Sequence, residues 1–374
     1  MVRSAGHVVL VALVLAVLGE GALRVERFGW SRAAVGPWAD PPPWDRLRAF
    51  DAVGDPVPRP GADVAWALGP GQPIVRYRLN GLGLRGAGEV AERPPPGVCR
   101  VLALGDAYTF GYGVGERDTY PRRLAERLGR RRRVEVLNGG FPNLDVEQQA
   151  RRLRMLLPRL APDVVLVSFD WWNVPLPEDE PPARPVRWSG PWLVANVEEK
   201  AERLGRQVGL VHATFEAARR ALTPALFAPS GLAREIEPLT LTPAALGDRW
   251  GQTQAALAAM AARVSAAGAR FALVSTPLDL QVDAARAVLY RTGGLPYPSH
   301  GFPDADWPAT STMPAALRTF AAAAGIDLVD ATPAFLRHRH AHLFLAGDYH
   351  AAPAGHRLIA REVARWFEHA RPCR

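Results

Sequence analysis

Lysine is nearly missing from this 374-residue chain: of 45 basic residues only Lys200 is not arginine, and there are two cysteines and four methionines. Each scarcity removes a class of protein. Two cysteines make no disulfide framework and supply no zinc site by themselves. Cys99 stands just before the first core strand pattern and Cys373 at the far end of the sequence, and the sequence leaves open whether they pair. The net charge of +8 is an arginine bias of GC-rich coding style rather than a nucleic-acid surface, which would want basic residues interleaved with aromatics on one face. The densest run, Arg130 to Arg133, falls between a helix pattern and a strand pattern and is expected to be a solvated turn. Internal repeats are absent. So are a Gly-Lys-Ser/Thr phosphate loop and the spacing of a dinucleotide fingerprint, and no cofactor is expected.

A long apolar run occurs once. Residues 5–23 contain only His7 and Glu20 as strongly polar side chains, a length that spans a bilayer as a helix. A cleavable signal peptide also fits, with Gly19 and Gly21 as small residues before a cut, but no clear Ala-x-Ala site is present and an uncleaved anchor is favoured. Either way the bulk of the protein is expected to be exported, facing the periplasm or the cell exterior, although Arg24 and Arg27 behind the run weaken the orientation rule.

The remainder divides by pattern. Residues 1–27 read as the anchor or signal segment, 28–98 as a linker and small β lead-in, and 99–374 as an α/β domain with an insertion at 174–241. Residues 36–60 are rich in Pro and Asp, a juxtamembrane linker. In residues 74–79, Val75, Tyr77 and Leu79 alternate with Arg76 and Arg78, a half-buried strand closed by Asn80-Gly81. From Arg100 strands and helices alternate, with strands at 101–104, 134–137, 164–169, 271–274 and 326–329. Asp145 and Gln148 form a capping box ahead of the stripe Val146, Ala150, Leu153 and Leu157. Thr242-Pro243 opens a long helix that Gly268 ends, and a last helix from about Pro353 carries Ile359, Val363, Trp366 and Phe367 inward. The alternation predicts a three-layer α/β/α sandwich around a mainly parallel five-stranded sheet.

The segment richest in chemistry is Val101-Leu-Ala-Leu-Gly105-Asp106-Ala107-Tyr-Thr-Phe-Gly111-Tyr-Gly113, which places residue 107 at the carboxyl end of a strand, where open α/β sheets bind ligands. It resembles the first block of the SGNH/GDSL hydrolase family, a strand leading into Gly-Asp-Ser. The other family segments follow in order. Residues 78–86 are similar to a segment found upstream in exported members, and Val136-Leu-Asn138-Gly-Gly140 to the second block. Pro162-Asp163 followed by Asn173 resembles the third, and Asp348-Tyr349-His350 with Gly355-His356 the last.

The resemblance implies a flavodoxin-like fold and a cleft in which serine attacks an acyl carbonyl, histidine takes its proton and aspartate orients the imidazole. Carried over, His350 matches the base, Asp348 the orienter and Asn173 the oxyanion side chain, with Asn143 at the second-block glycine. The nucleophile position holds Ala107, and Trp172-Asn173-Val174 replaces Gly-Asn-Asp. Three departures in one cleft imply natural drift from serine chemistry rather than an engineered serine-to-alanine change. Thr109, Tyr108 and Asp106 are weak substitutes, Asp106 being structural in the family's turn. His356 reads as a packing or capping residue. His338, His340 and His342 alternate, but their arginine neighbours oppose a cation and no metal site is expected. Trp171, Trp172, Trp188 and Trp192 suit either a sugar-binding or apolar cleft or ordinary packing.

The expectation is therefore a hydrolase-like protein, catalytically inactive, that binds an acylated small molecule, glycan or lipid in the former active-site cleft. The alternatives are an inactivated variant of an active esterase or acyltransferase, and a non-catalytic assembly subunit with a protein partner.

Overall fold

The computed structural model describes residues 44–51, 56–66, 74–170, 173–175, 246–283, 312–345 and 348–373, together with seven helical positions between residues 11 and 22. At those N-terminal positions Val11, Val14, Leu15 and Leu18 are exposed. No helix among the described residues is long and apolar enough to cross a membrane, and the rest of the apolar run lies outside them. So do nearly all of the 174–241 insertion, the helix start expected at Thr242-Pro243, and the four tryptophans named above.

The lead-in is more structured than its proline content suggests. A short helix α1 (Trp44–Leu47) runs into a hairpin of β1 (Arg48–Phe50) and β2 (Pro56–Pro58), where a plain linker is expected from sequence. Leu47, fully buried with Val64, Val75, Tyr77, Phe110 and Phe141, supplies the reason: the segment has a core to join. A second antiparallel pair follows, β3 (Asp63–Trp66) with β4 (Val75–Arg78). In β4 Val75 and Tyr77 are buried while Arg76 and Arg78 face out, as the alternation predicts.

The main domain begins with β5 (Cys99–Leu104), the one-turn α2 (Ala107–Phe110) and α3 (Tyr120–Leu128). Next come β6 (Val134–Asn138), α4 (Val146–Leu160), β7 (Val164–Phe169), α5 (Asp248–Ala266), β8 (Arg270–Ser275) and α6 (Asp279–Val282). The chain continues through α7 (Thr312–Ala323), β9 (Asp327–Asp330), α8 (Thr332–Arg337) and α9 (Pro353–Ala370). The five strands β5 to β9 form one parallel sheet in the order β6-β5-β7-β8-β9. Alternate residues of each strand go to opposite faces, and both faces are covered. Leu102, Leu104, Val165, Val167 and Leu273 pack on α4, α5 and α7. Val101, Ala103, Leu166 and Val274 pack on α3, α8 and α9. Between the layers these side chains have almost no solvent exposure, which is why the strands read as unbroken apolar runs.

The helix ends form where their chemistry stands. Asp145 and Gln148 complete a reciprocal capping box on α4, and Thr119 caps α3. Gly268, at φ +78°, ends the turn after α5. At the amino ends of the strands, fully buried Arg100 ties elements together: its Nε reaches Glu135 at 2.7 Å and its Nη1 donates to Leu160 O at 2.8 Å. Beneath it Cys99 and Cys373 form a disulfide with a Cα–Cα distance of 5.8 Å, joining the first core strand to the end of the last helix.

Candidate active site

At the carboxyl end of β5 the chain passes through Gly105, at φ +151°, where any Cβ would lie 2.8 Å from the Ser168 Cβ. Asp106 then caps α2, its Oδ1 accepting the Tyr108 N–H at 2.9 Å. Ala107 is the first residue of that turn and is 6 % exposed. The neighbouring hydroxyls are held elsewhere: Thr109 Oγ1 donates to Leu104 O at 3.2 Å, and Tyr108 Oη donates to Tyr349 O at 2.9 Å. Neither is presented as a substitute for the missing serine oxygen. Asp106 has the structural place expected of it.

The second block packs backbone against backbone on this turn. Asn138 Nδ2 donates to Thr109 O at 2.9 Å, and a Cβ on Gly140 would stand 2.5 Å from the Phe110 nitrogen. Asn143 follows with φ 59°. This left-handed conformation favours glycine, with asparagine the residue that next best tolerates it. Its side chain is exposed, so the substitution keeps the backbone shape of a glycine rather than filling the turn.

Asn173 is fully buried after β7. Its Oδ1 accepts the Asp170 N–H at 2.9 Å, and its Nδ2 donates to Leu144 O at 3.0 Å and to Asp106 Oδ2 at 3.3 Å. Both amide hydrogens are thus occupied inside the protein. One side chain links the three loops that follow β5, β6 and β7, and it offers no further donor to a ligand. Burial pushes the Asp106 carboxyl up, against the Tyr108 amide and a hydrogen bond from the side chain of Asp170. Sequence reasoning passed over Asp170, and only its place at the end of a strand signalled it.

The last block supplies a buried histidine–aspartate pair. His350 Nδ1 lies 2.7 Å from Asp348 Oδ1, which also accepts the His350 N–H at 2.7 Å. The imidazole is 4.3 Å from the Tyr349 ring, 4.4 Å from Tyr112 and 5.8 Å from Tyr108, centroid to centroid. Trp66 of the lead-in stands 5.7 Å from Tyr112. Burial holds the phenols of Tyr108 and Tyr112 in the protonated form, well above the usual tyrosine range. The structure therefore brings Ala107, Asn173, Asp348 and His350 to one end of the sheet with Asn143 at its rim. The dyad can take a proton at Nε2, but residue 107 has no hydroxyl to give one. Tyr112 and Trp66 were not singled out in the sequence; the glycines on either side of Tyr112 were the available signal.

Two other histidine groups are resolved. His338, His340 and His342 are exposed and lie on the end of α8 and the turn after it, not on the extended segment that alternate spacing suggests. Among the described residues no three His, Cys, Asp or Glu are placed to hold a metal. His356 accepts the Tyr120 N–H at 3.2 Å with Nδ1, bridging α9 to α3. Burial lowers its pKa from 6.5 to about 3. The folded state binds this proton later than the unfolded chain, so His356 stabilises the fold above pH 6.5 and that contribution falls as pH drops toward 3. The slope approaches about 1.4 kcal/mol per pH unit. Urea denaturation at pH 7 and pH 4.5 should show the native protein losing about 2 to 3 kcal/mol more than His356→Gln; equal losses would mean that the ring is not held neutral.

Comparison with known proteins agrees in kind. No curated protein sequence matches the chain. Solved structures resembling it include TesA (15 % identity, TM-score 0.38, 72 % of this chain and 98 % of that one). The acetyl xylan esterase AlAXEase gives 13 % identity and a TM-score of 0.39, over 71 % of this chain and 98 % of that one. The esterase EstA from Pseudoalteromonas sp. gives 12 % and 0.39, over 73 % and 99 %. The sequence model of the GDSL-like lipase/acylhydrolase family matches residues 103–358, more than half of the chain and every strand of the main sheet beyond the start of β5. This chain belongs to the GDSL-like lipase/acylhydrolase family.

Proposed function

We propose that this chain is a catalytically silent family member that retains the cleft and dyad of an ester hydrolase and binds an acylated glycan or lipid there. The observation that carries the reading is Asn173. With no oxygen at Ala107 and both Asn173 amide hydrogens held by Leu144 and Asp106, nucleophile and oxyanion donor are lost together, while the Asp348–His350 pair persists. The rings of Tyr108, Tyr112 and Tyr349 around His350 supply the apolar wall that an acyl chain needs. Export with a membrane anchor is supported by the apolar run of residues 5–23 and by the disulfide, a bond that persists in oxidising compartments. A second reading, an assembly subunit that uses the fold as a scaffold for a protein partner, is favoured by how little of the site is open: Ala107 and His350 are 6 % and 8 % exposed.

Two measurements on the purified protein test this. Short-chain p-nitrophenyl esters should be hydrolysed no faster than in buffer. Calorimetric titration with an acetylated oligosaccharide or a short-chain phospholipid should give heat that the deacylated counterpart does not. Hydrolysis abolished by His350→Ala would overturn the silent reading, and absence of binding to any acylated probe would favour the scaffold.

A further inference from the structure

Arg85 is one of the buried charges among the described residues. It is 6 % exposed and forms no ion pair among the described residues. Its guanidinium carbon lies 4.9 Å from the Tyr77 ring centroid and 4.7 Å from that of Phe110. Nη1 donates to the carbonyls of Phe110 and Gly111, and Nη2 to Val114 O at 2.6 Å. Burial brings its pKa down to about 10, against the charges of Tyr77 and Glu116, leaving it a cation at neutral pH. Tyr77 grips the same loop from beside it, its Oη accepting the Gly113 N–H at 2.9 Å. Two lead-in residues therefore hold the backbone on both sides of Tyr112, the ring that packs on His350.

The loop itself is built for this grip. Gly111 and Gly113 have φ of +83° and +75°, so the backbone reverses on each side of Tyr112. A Cβ at Gly111 would come within 2.9 Å of Arg85 Nη1. Both holding residues precede the segment 103–358 that the family model matches. We infer that Arg85, assisted by Tyr77, is a positioning residue for the site: it holds the 110–114 loop so that Tyr112 stays on His350, and the lead-in thereby controls access to the imidazole. The inference does not depend on whether the cleft binds or transforms a ligand.

Reaction of the full-length protein with diethylpyrocarbonate, mapped by mass spectrometry, tests it. Exposed His340 and His342 supply the unhindered rate, and buried His356 reports unfolding. Arg85→Met keeps the apolar stem between the two rings but drops the carbonyl contacts. Modification of His350 should speed up about tenfold or more in Arg85→Met and in Tyr112→Ala while His356 stays unreactive, because the loop opens locally. The double variant should react no faster than Tyr112→Ala alone, the signature of one acting through the other. Should Arg85→Met fail to fold, Arg85→Lys and Tyr77→Phe give the graded test, each loosening the loop and raising the His350 rate in a folded protein. Folded Arg85 and Tyr77 variants whose His350 reacts at the native rate, or an additive double variant, would reduce Arg85 to a stabilising residue and overturn the inference.

Discussion

Restoring the serine oxygen by Ala107→Ser is expected to return less than about tenfold in ester turnover, against the roughly millionfold that a working triad owes to its serine. The side chain would enter at the start of α2, in the turn whose Asp106 cap and Gly111 terminus are in place. His350 and Asp348 also remain paired, 2.7 Å apart. The oxyanion side is where recovery fails. The tetrahedral intermediate needs donors fixed in advance, and loss of one costs about two to three orders of magnitude. Here Asn173 gives its hydrogens to Leu144 O and Asp106 Oδ2, and turning it outward would strip a hydrogen bond from a carboxyl group already raised by burial. If position 107 had been changed by design in an otherwise intact enzyme, turnover would return by several orders of magnitude and vanish again in Ala107→Ser/His350→Ala. That outcome would refute natural loss.

Removing the disulfide should produce the largest stability change. Cys99 and Cys373 are 274 positions apart, so the bond closes almost the whole main domain into one ring. Loop-closure entropy assigns a cross-link of that span about 5.6 kcal/mol. Cys99→Ser/Cys373→Ser, or reduction of the native protein, should lower Tm by about 10 °C or more. The deficit should be read by reversible denaturation, with the family cleft as an internal control: the local packing of Tyr112 on His350 lies at the other end of the sheet and should not change below Tm. An unchanged Tm would mean that α9 is held fully by its packing on α3 and β9, without help from the cross-link.

The sheet was legible because its strands are buried on both faces, and that condition writes continuous apolar runs such as residues 164–169. The blocks were legible because turn geometry admits few residues: Gly105 and Gly140 have no room for a Cβ, and Asn143 occupies a conformation that few side chains accept. Less visible were features that depend on partners distant in sequence. The reach of Arg85 to Val114 spans 29 positions, and that of Arg152 Nη2 to Gly83 O, at 2.9 Å, spans 69. An arginine among 43 others gives no hint that it is buried. The occupied hydrogens of Asn173 were equally hidden, since an oxyanion donor and a structural asparagine have the same letter and the same neighbours. The departure at Asn143 takes a left-handed conformation of the kind glycine favours and leaves the side chain in solvent.

The buried arginines also decide where this protein can be cut. The family match starts at residue 103, inside β5, but Arg152 of α4 donates to Gly83 O, and the Arg85 amide donates to Asn138 O at the carboxyl end of edge strand β6. A fragment trimmed to the matched residues would leave buried Arg152 with only Gly139 O of its two carbonyl partners, open the flank of β6 to pairing with other chains, and lose Cys99. A piece that keeps these bonds must begin before Gly83 and run to Cys373, so the stretch recognised by resemblance is shorter than the stretch these bonds tie together.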